Sequence, residues 1–189
     1  MSVKNKPDNV TTLPVAQHER LALNEEGLDA AKRSLDQGAV TPSYGPWRED
    51  IIALLNDSLA TELVCVLRYR RHFHTASGPL AESIKAEFLA HSNEEQQHSD
   101  LLAQRIVQLG GKPDFNPKGL AERSHAEYVE GVTLEDMIRE NLVAERIAIE
   151  SYKEVIHYLG DDDPTTKRLL ESILAVEEEH AEDLASMTL

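Results

Sequence analysis

Residues 62–74 read ELVCVLRYRRHFH, and residues 145–157 read ERIAIESYKEVIH. Laid over each other, Glu62 meets Glu145, Tyr69 meets Tyr152 and His74 meets His157. A second pair of stretches repeats beside the first. With EQQH at 95–98 set on EEEH at 177–180, Glu95 meets Glu177, His98 meets His180, and Leu102 meets Leu184. The offsets are 83 and 82 residues, so the chain carries two related copies of one unit.

Working outward, apolar residues around each stretch recur at helical spacing. The stripes are Ile51, Leu55, Leu59, Val66, Tyr69, Phe73; Ile84, Phe88, Leu102, Ile106, Leu109; Leu134, Ile138, Leu142, Ile149, Tyr152, Ile156; and Leu170, Ile173, Leu184, flanked by Leu169 and Met187. They predict helices at about 48–75, 79–109, 133–159 and 164–187. Gly110-Gly111 stops the second, and Pro113 and Pro117 prevent its continuation. Thr133 with Asp136 resembles a capping box, and Asp163-Pro164 reads as an N-cap followed by proline at the first helical position. Two links are short and one, 110–132, is long. Short links make antiparallel hairpins, and a link of that length can cross a bundle. The expected fold is all-α, an antiparallel four-helix bundle over 48–189 with no strand.

Ahead of the bundle, residues 1–14 read as a tail. Residues 15–37 read as a helix from the seven-residue recurrence of Leu21, Leu28 and Leu35, with Gly38 as its stop. The stretch 38–47, GAVTPSYGPW, reads as a connector. The net charge of −15 argues against nucleic-acid and anionic-membrane partners. Cys65 is the one cysteine, so an intrachain disulfide and a cysteine-rich zinc or iron–sulfur site are excluded. No signal peptide or membrane-spanning run is seen, and a cytoplasmic location is expected.

At the middle of each stripe sits a glutamate: Glu62, Glu95, Glu145 and Glu177. At about 100° per residue, Glu62 points with Leu55, Val66 and Tyr69, and the other three point likewise with their apolar neighbours. An unpaired buried carboxylate is very costly, and four together repel one another and take up protons. Two divalent cations remove both problems. The spacing Glu-x-x-His occurs four times, and chance alone predicts about one with 22 Glu and 8 His in 189 residues. Context separates them. Glu122/His125 lies in the crossover, and Glu154/His157 faces away from Glu145, toward solvent. Only Glu95/His98 and Glu177/His180 sit on apolar stripes, where an i, i+3 pair can reach one metal region.

These residues resemble the di-iron site of bacterioferritin and its bacterioferritin-like Dps relatives, over about 48–188. The resemblance implies a ferritin-like bundle with Glu62, Glu95, His98, Glu145, Glu177 and His180 as metal ligands. Glu95 and Glu177 would bridge two irons, Glu62 and Glu145 would be terminal, and His98 and His180 would bind one metal each. Bacterioferritin carries its haem-ligating methionine where this chain has Gln96, so haem is not expected. The 47-residue leader and the lack of a fifth helix fit a Dps-like dodecameric shell or a dimer rather than a 24-subunit cage.

The leading expectation is a ferroxidase that oxidises Fe(II) with O2 or H2O2 and handles or stores the iron. Manganese is the alternative metal, since carboxylate oxygens and imidazole suit both. The rival is a non-storage di-metal oxidoreductase of peroxidase, catalase or hydroxylase type, and assembly discriminates the two. Tyr69 and Tyr152 lie seven residues after Glu62 and Glu145. They read either as partners of the ligands, by hydrogen bond or electron supply, or as core tyrosines with satisfied hydroxyls. Cys65 reads as a small buried apolar residue. His72, His74 and His91 read as packing or surface residues, with His91 one turn before Glu95.

Overall fold

The structure is a computed structural model in which residues 22–33 and 35–187 are described. Six α-helices follow in order: α1 Glu25–Ala31, α2 Arg48–Thr75, α3 Ala81–Gln108, α4 Leu120–Arg123, α5 Leu134–Leu159 and α6 Pro164–Ser186. Among the described residues there is no strand. None of the helices is long and apolar enough to cross a membrane.

The four long helices start and stop where local chemistry dictates. Thr133 and Asp136 form a reciprocal capping box on α5, and Asp163 accepts from the backbone N–H of Thr166 ahead of Pro164 in α6. At the end of α3, Gly110 adopts φ +82°, so the N–H of Gly111 returns to the Ile106 carbonyl and that of Gly110 to the Val107 carbonyl. This closes the helix in the left-handed turn that glycine enters without strain.

The crossover follows α2 from its start toward its end. Asn56 holds Lys112 and Asp114, Thr61 meets His125, and Arg68 and His72 meet the carbonyls of Glu127 and Glu130. The chain therefore returns to the far end of α2 before α5 begins. Consequently α5 runs antiparallel to α2, and α6 antiparallel to α3. The sequence reading left 110–132 without regular structure. The single turn of α4 inside it was not expected, since its four residues offer no periodicity to detect.

The leader carries a short helix, as expected, but one that ends well before Gly38. In place of one helix over 15–37, the described part holds the two-turn α1 and a 3-10 turn at Leu35–Gln37. Leu28 and Leu35 are 52% and 78% exposed, so these two heptad positions find no apolar face among the described residues; residues 15–21 and 34 lie outside them.

The core is divided. One cluster joins Ile51, Leu55 and Leu59 to Leu102, Ile106, Leu159 and Leu170. The other joins Tyr69, Ile84 and Phe88 to Ile138 and Leu184. Between these apolar plugs lies a polar layer at mid-bundle.

Candidate metal centre

Each long helix contributes to the layer at its midpoint. Glu62 comes from α2, Glu95 and His98 from α3, Glu145 from α5, and Glu177 and His180 from α6; all are at most 5% exposed. Their donor atoms fall into two overlapping groups: Glu62, Glu95, His98, Glu177, and Glu95, Glu145, Glu177, His180. In each group the atoms lie within 4.8 Å of one another, and Glu95 and Glu177 belong to both. His98 Nδ1 lies 2.8 Å from Glu177, 3.4 Å from Glu62 and 3.5 Å from Glu95. His180 Nδ1 lies 3.5 Å from Glu95 and 3.7 Å from Glu177. Both imidazoles thus turn the same ring nitrogen inward.

The outer edges are held by residues one step away. The Tyr152 hydroxyl donates to Glu62 Oε1, and the Tyr69 hydroxyl donates to Glu145 Oε1. Each tyrosine therefore serves the glutamate of the opposite hairpin, not the one seven residues before it. Burial, with the facing carboxylate, pushes both phenols up, which keeps them protonated as donors. The second oxygen of each of these glutamates makes no hydrogen bond and turns into the cluster, Glu62 Oε2 lying 3.4 Å from His98 Nδ1. His180 Nε2 pairs at 2.8 Å with Glu94, a residue the sequence reading passed over. Its only signal was adjacency to Glu95, on a face that reads as solvated.

Without cations, the cluster holds protons. Burial pushes the Glu62 and Glu145 carboxyls well above the usual range, reinforced by Glu177 and Glu95. Burial also raises Glu95, but the nearby Glu62, His180 and His98 outweigh it and leave that carboxyl low. The imidazoles of His98 and His180 are opposed by burial yet pushed up to about 12 and about 11, with Glu177 the foremost cause.

The remaining candidates fall elsewhere. His125 and Glu122 are exposed on the crossover, and Glu154 and His157 are exposed on α5. His74 is exposed. His72 is buried in a network the sequence did not reveal. Arg68 donates to Asn141 and to the Glu127 carbonyl, and Asn141 in turn donates to His72. Cys65 is buried beside Arg68, and burial pushes its thiol up despite that cation. Its sulfur accepts from Arg68 Nη2 at 3.3 Å, a partner the sequence reading did not foresee.

A bundle of two antiparallel hairpins with one long crossover, carrying Glu and Glu-x-x-His side chains at mid-height, defines the ferritin-like architecture. A model described as the ferritin-like domain matches residues 52–188, and the chain belongs to that family. It is 30% identical to the DNA protection during starvation protein of Pyrococcus furiosus, across 70% of this chain and 73% of that protein. It is 28% identical to bacterioferritin BfrA of Mycobacterium tuberculosis, across 71% and 81%. Among solved structures it is similar to the bacterioferritin-related protein of Bacteroides fragilis, described as a dodecameric thioferritin. That match has 28% identity, covers 86% of this chain and 92% of the other, and has a TM-score of 0.71.

Proposed function

We propose that this protein is a ferroxidase that takes up two Fe(II) per chain at the mid-bundle cluster, with Glu62, Glu95, His98, Glu145, Glu177 and His180 as ligands. One observation carries the reading. Glu62 Oε2, Glu95 Oε1, Glu145 Oε2, both oxygens of Glu177, and Nδ1 of His98 and His180 are buried without a well-directed hydrogen bond, lying close to one another instead, and all seven belong to this one cluster. Orphaned polar atoms on this scale are costly in a metal-free core and are satisfied by cations. Two divalent ions match the charge of four carboxylates, and the oxygen-rich, imidazole-bearing set suits iron or manganese.

In this reading Glu95 and Glu177, shared by both groups, bridge the ions. Glu62 and Glu145 each offer one oxygen, the other being held by tyrosine. Glu94 orients His180 in the manner of a carboxylate behind a ligating histidine. Each Fe(II) gives up one electron. A pair reduces hydrogen peroxide with two protons to two waters, or dioxygen with two protons to hydrogen peroxide. The dodecameric relative supports assembly of this chain as a homo-oligomeric shell in which oxidised iron is stored.

The test is aerobic addition of Fe(II), followed by ferric absorbance. The wild type should oxidise the iron rapidly and E95A/E177A should fall to the protein-free rate. An undiminished rate in that variant would sink the assignment.

Proton exchange supplies a second prediction. Ligating nitrogens must be deprotonated, so cations displace the imidazolium protons of His98 and His180. In unbuffered solution near neutral pH, cation binding should release at least two protons per chain, followed with a pH-stat. The sign follows: affinity rises with pH, because the metal-free form is the one stabilised by acid. Binding with no proton release would contradict the assigned ligands.

A further inference from the structure

Beside the two-metal cluster, the seam between α3 and α6 opens into a pocket of about 460 Å³ that reaches His98 and His180. At its wall stand Glu87, His91 and Asp183, each offering a donor atom within 4.8 Å of the other two. We propose that these three side chains form a third divalent-cation site, separate from the pair of ions at mid-bundle.

The decisive residue is His91. It is 2% exposed, and its Nδ1 lies 3.2 Å from the Tyr69 hydroxyl. The one proton of that hydroxyl is given to Glu145, so the Tyr69 oxygen accepts from His91 and the Nδ1 of His91 carries a hydrogen. The lone pair of the ring is then on Nε2. That nitrogen faces Asp183 Oδ2 at 3.7 Å, beyond hydrogen-bond length. Among the described residues no hydrogen bond to His91 Nε2 is found. The lone pair of a buried imidazole and a carboxylate oxygen thus face each other at a separation too long for a hydrogen bond.

A cation resolves this arrangement. Metal–nitrogen and metal–oxygen bonds are about 2.1 Å, so a separation of 3.7 Å corresponds to an angle of about 120° at a shared ion. Glu87, one turn before His91 on α3, completes a set of one imidazole and two carboxylates. That set suits Fe(II), Mn(II), Co(II) or Zn(II). Glu87 and Asp183 reach solvent. Three protein donors leave positions for water, and the site should exchange its ion readily.

The position suggests a use. The His91 ring stacks on that of His180, with centroids 4.0 Å apart and planes 21° apart. An ion held at His91 therefore waits one ring away from a ligand of the centre, at the wall of the pocket that leads to it. This stopover role rests on the two-metal reading above; the cation site itself does not.

Co(II) titration of the full chain without oxygen, read as ions bound per chain, tests both separately. The wild type should bind three, E87Q/D183N two, and E95A/E177A the single ion at His91. The substituted Glu87 and Asp183 reach solvent, so the fold is retained. A wild type and E87Q/D183N that bind the same number would overturn the third site. A wild type and E95A/E177A that bind the same number would overturn the two-metal centre and leave the first comparison intact. Anomalous scattering at the cobalt edge should place the extra ion between His91 Nε2 and Asp183 Oδ2; density only at mid-bundle would also reject the proposal.

Discussion

Saturating the chain with Co(II) is expected to raise its unfolding temperature by about 8–16 °C for each ion held at a thousand times its Kd, and E62Q/E145Q is expected to lose most of that rise. The magnitude follows from linkage. A ligand at that excess stabilises by about 4 kcal/mol, and in a chain of this size each kcal/mol is about 2–4 °C. Glu62 and Glu145 are fully buried, and each has one oxygen occupied by a tyrosine and the other orphaned. The amide oxygen of glutamine can still accept the tyrosine proton, so packing is preserved while the anionic donor is lost. Without cations the variant should unfold no earlier than the wild type. Burial already keeps the Glu62 and Glu145 carboxyls protonated without cations, so glutamine replaces a neutral acid with a neutral amide of the same shape. Scanning calorimetry with and without Co(II) measures both effects. A variant less stable than the wild type without metal, and equally stabilised by it, would contradict the account.

Arg105→Ala is expected to cost about 3–5 kcal/mol, or about 6–20 °C, although it lies outside the metal cluster. Arg105 is 5% exposed and donates to both oxygens of Asp163 at 2.9 Å and to Thr166 at 2.7 Å. Asp163 is fully buried and also caps α6. Removing the guanidinium strands a buried carboxylate at the start of the helix that carries Glu177 and His180. Burial raises the Asp163 carboxyl, but Thr166 and Arg105 outweigh it and hold it below the ordinary range. Its contribution is therefore present above the unfolded Asp value of about 4 and is lost as pH falls through the lower folded value. R105A/D163N should recover part of the loss, because asparagine still caps the helix without stranding a charge. Urea denaturation of the metal-free chains measures this. A loss below 1 kcal/mol for R105A would mean that the pair is dispensable.

The buried carboxylate–histidine cluster was legible in the sequence because it breaks a local rule. A glutamate in the middle of an apolar stripe contradicts the stripe, and the contradiction occurs four times in two matched hairpins. Helical periodicity aims Glu62, Glu95, Glu145 and Glu177 inward, and the same periodicity carries His98 and His180 with them. Helix ends were equally readable, since the Thr133 box and the Asp163 cap are contacts within three residues. Overreading occurred where periodicity had nothing to pack against: Leu28 and Leu35 repeat at seven, but no face among the described residues receives them.

Which side chain meets which was decided only by the tertiary structure. Tyr69 lies on the stripe of Glu62 yet serves Glu145, because the antiparallel crossing of α2 and α5 brings those two together. Nothing along α2 or α3 singles out Arg68 and Arg105, but facing elements provide Asn141, the Glu127 carbonyl and Asp163. His91 and Glu94 gain their meaning from α6, more than 80 residues away, where Asp183 and His180 lie against them. The spacing of residues along one helix specifies the direction in which a side chain points. The atom it finds there depends on the register between helices, which is set by packing over the whole bundle.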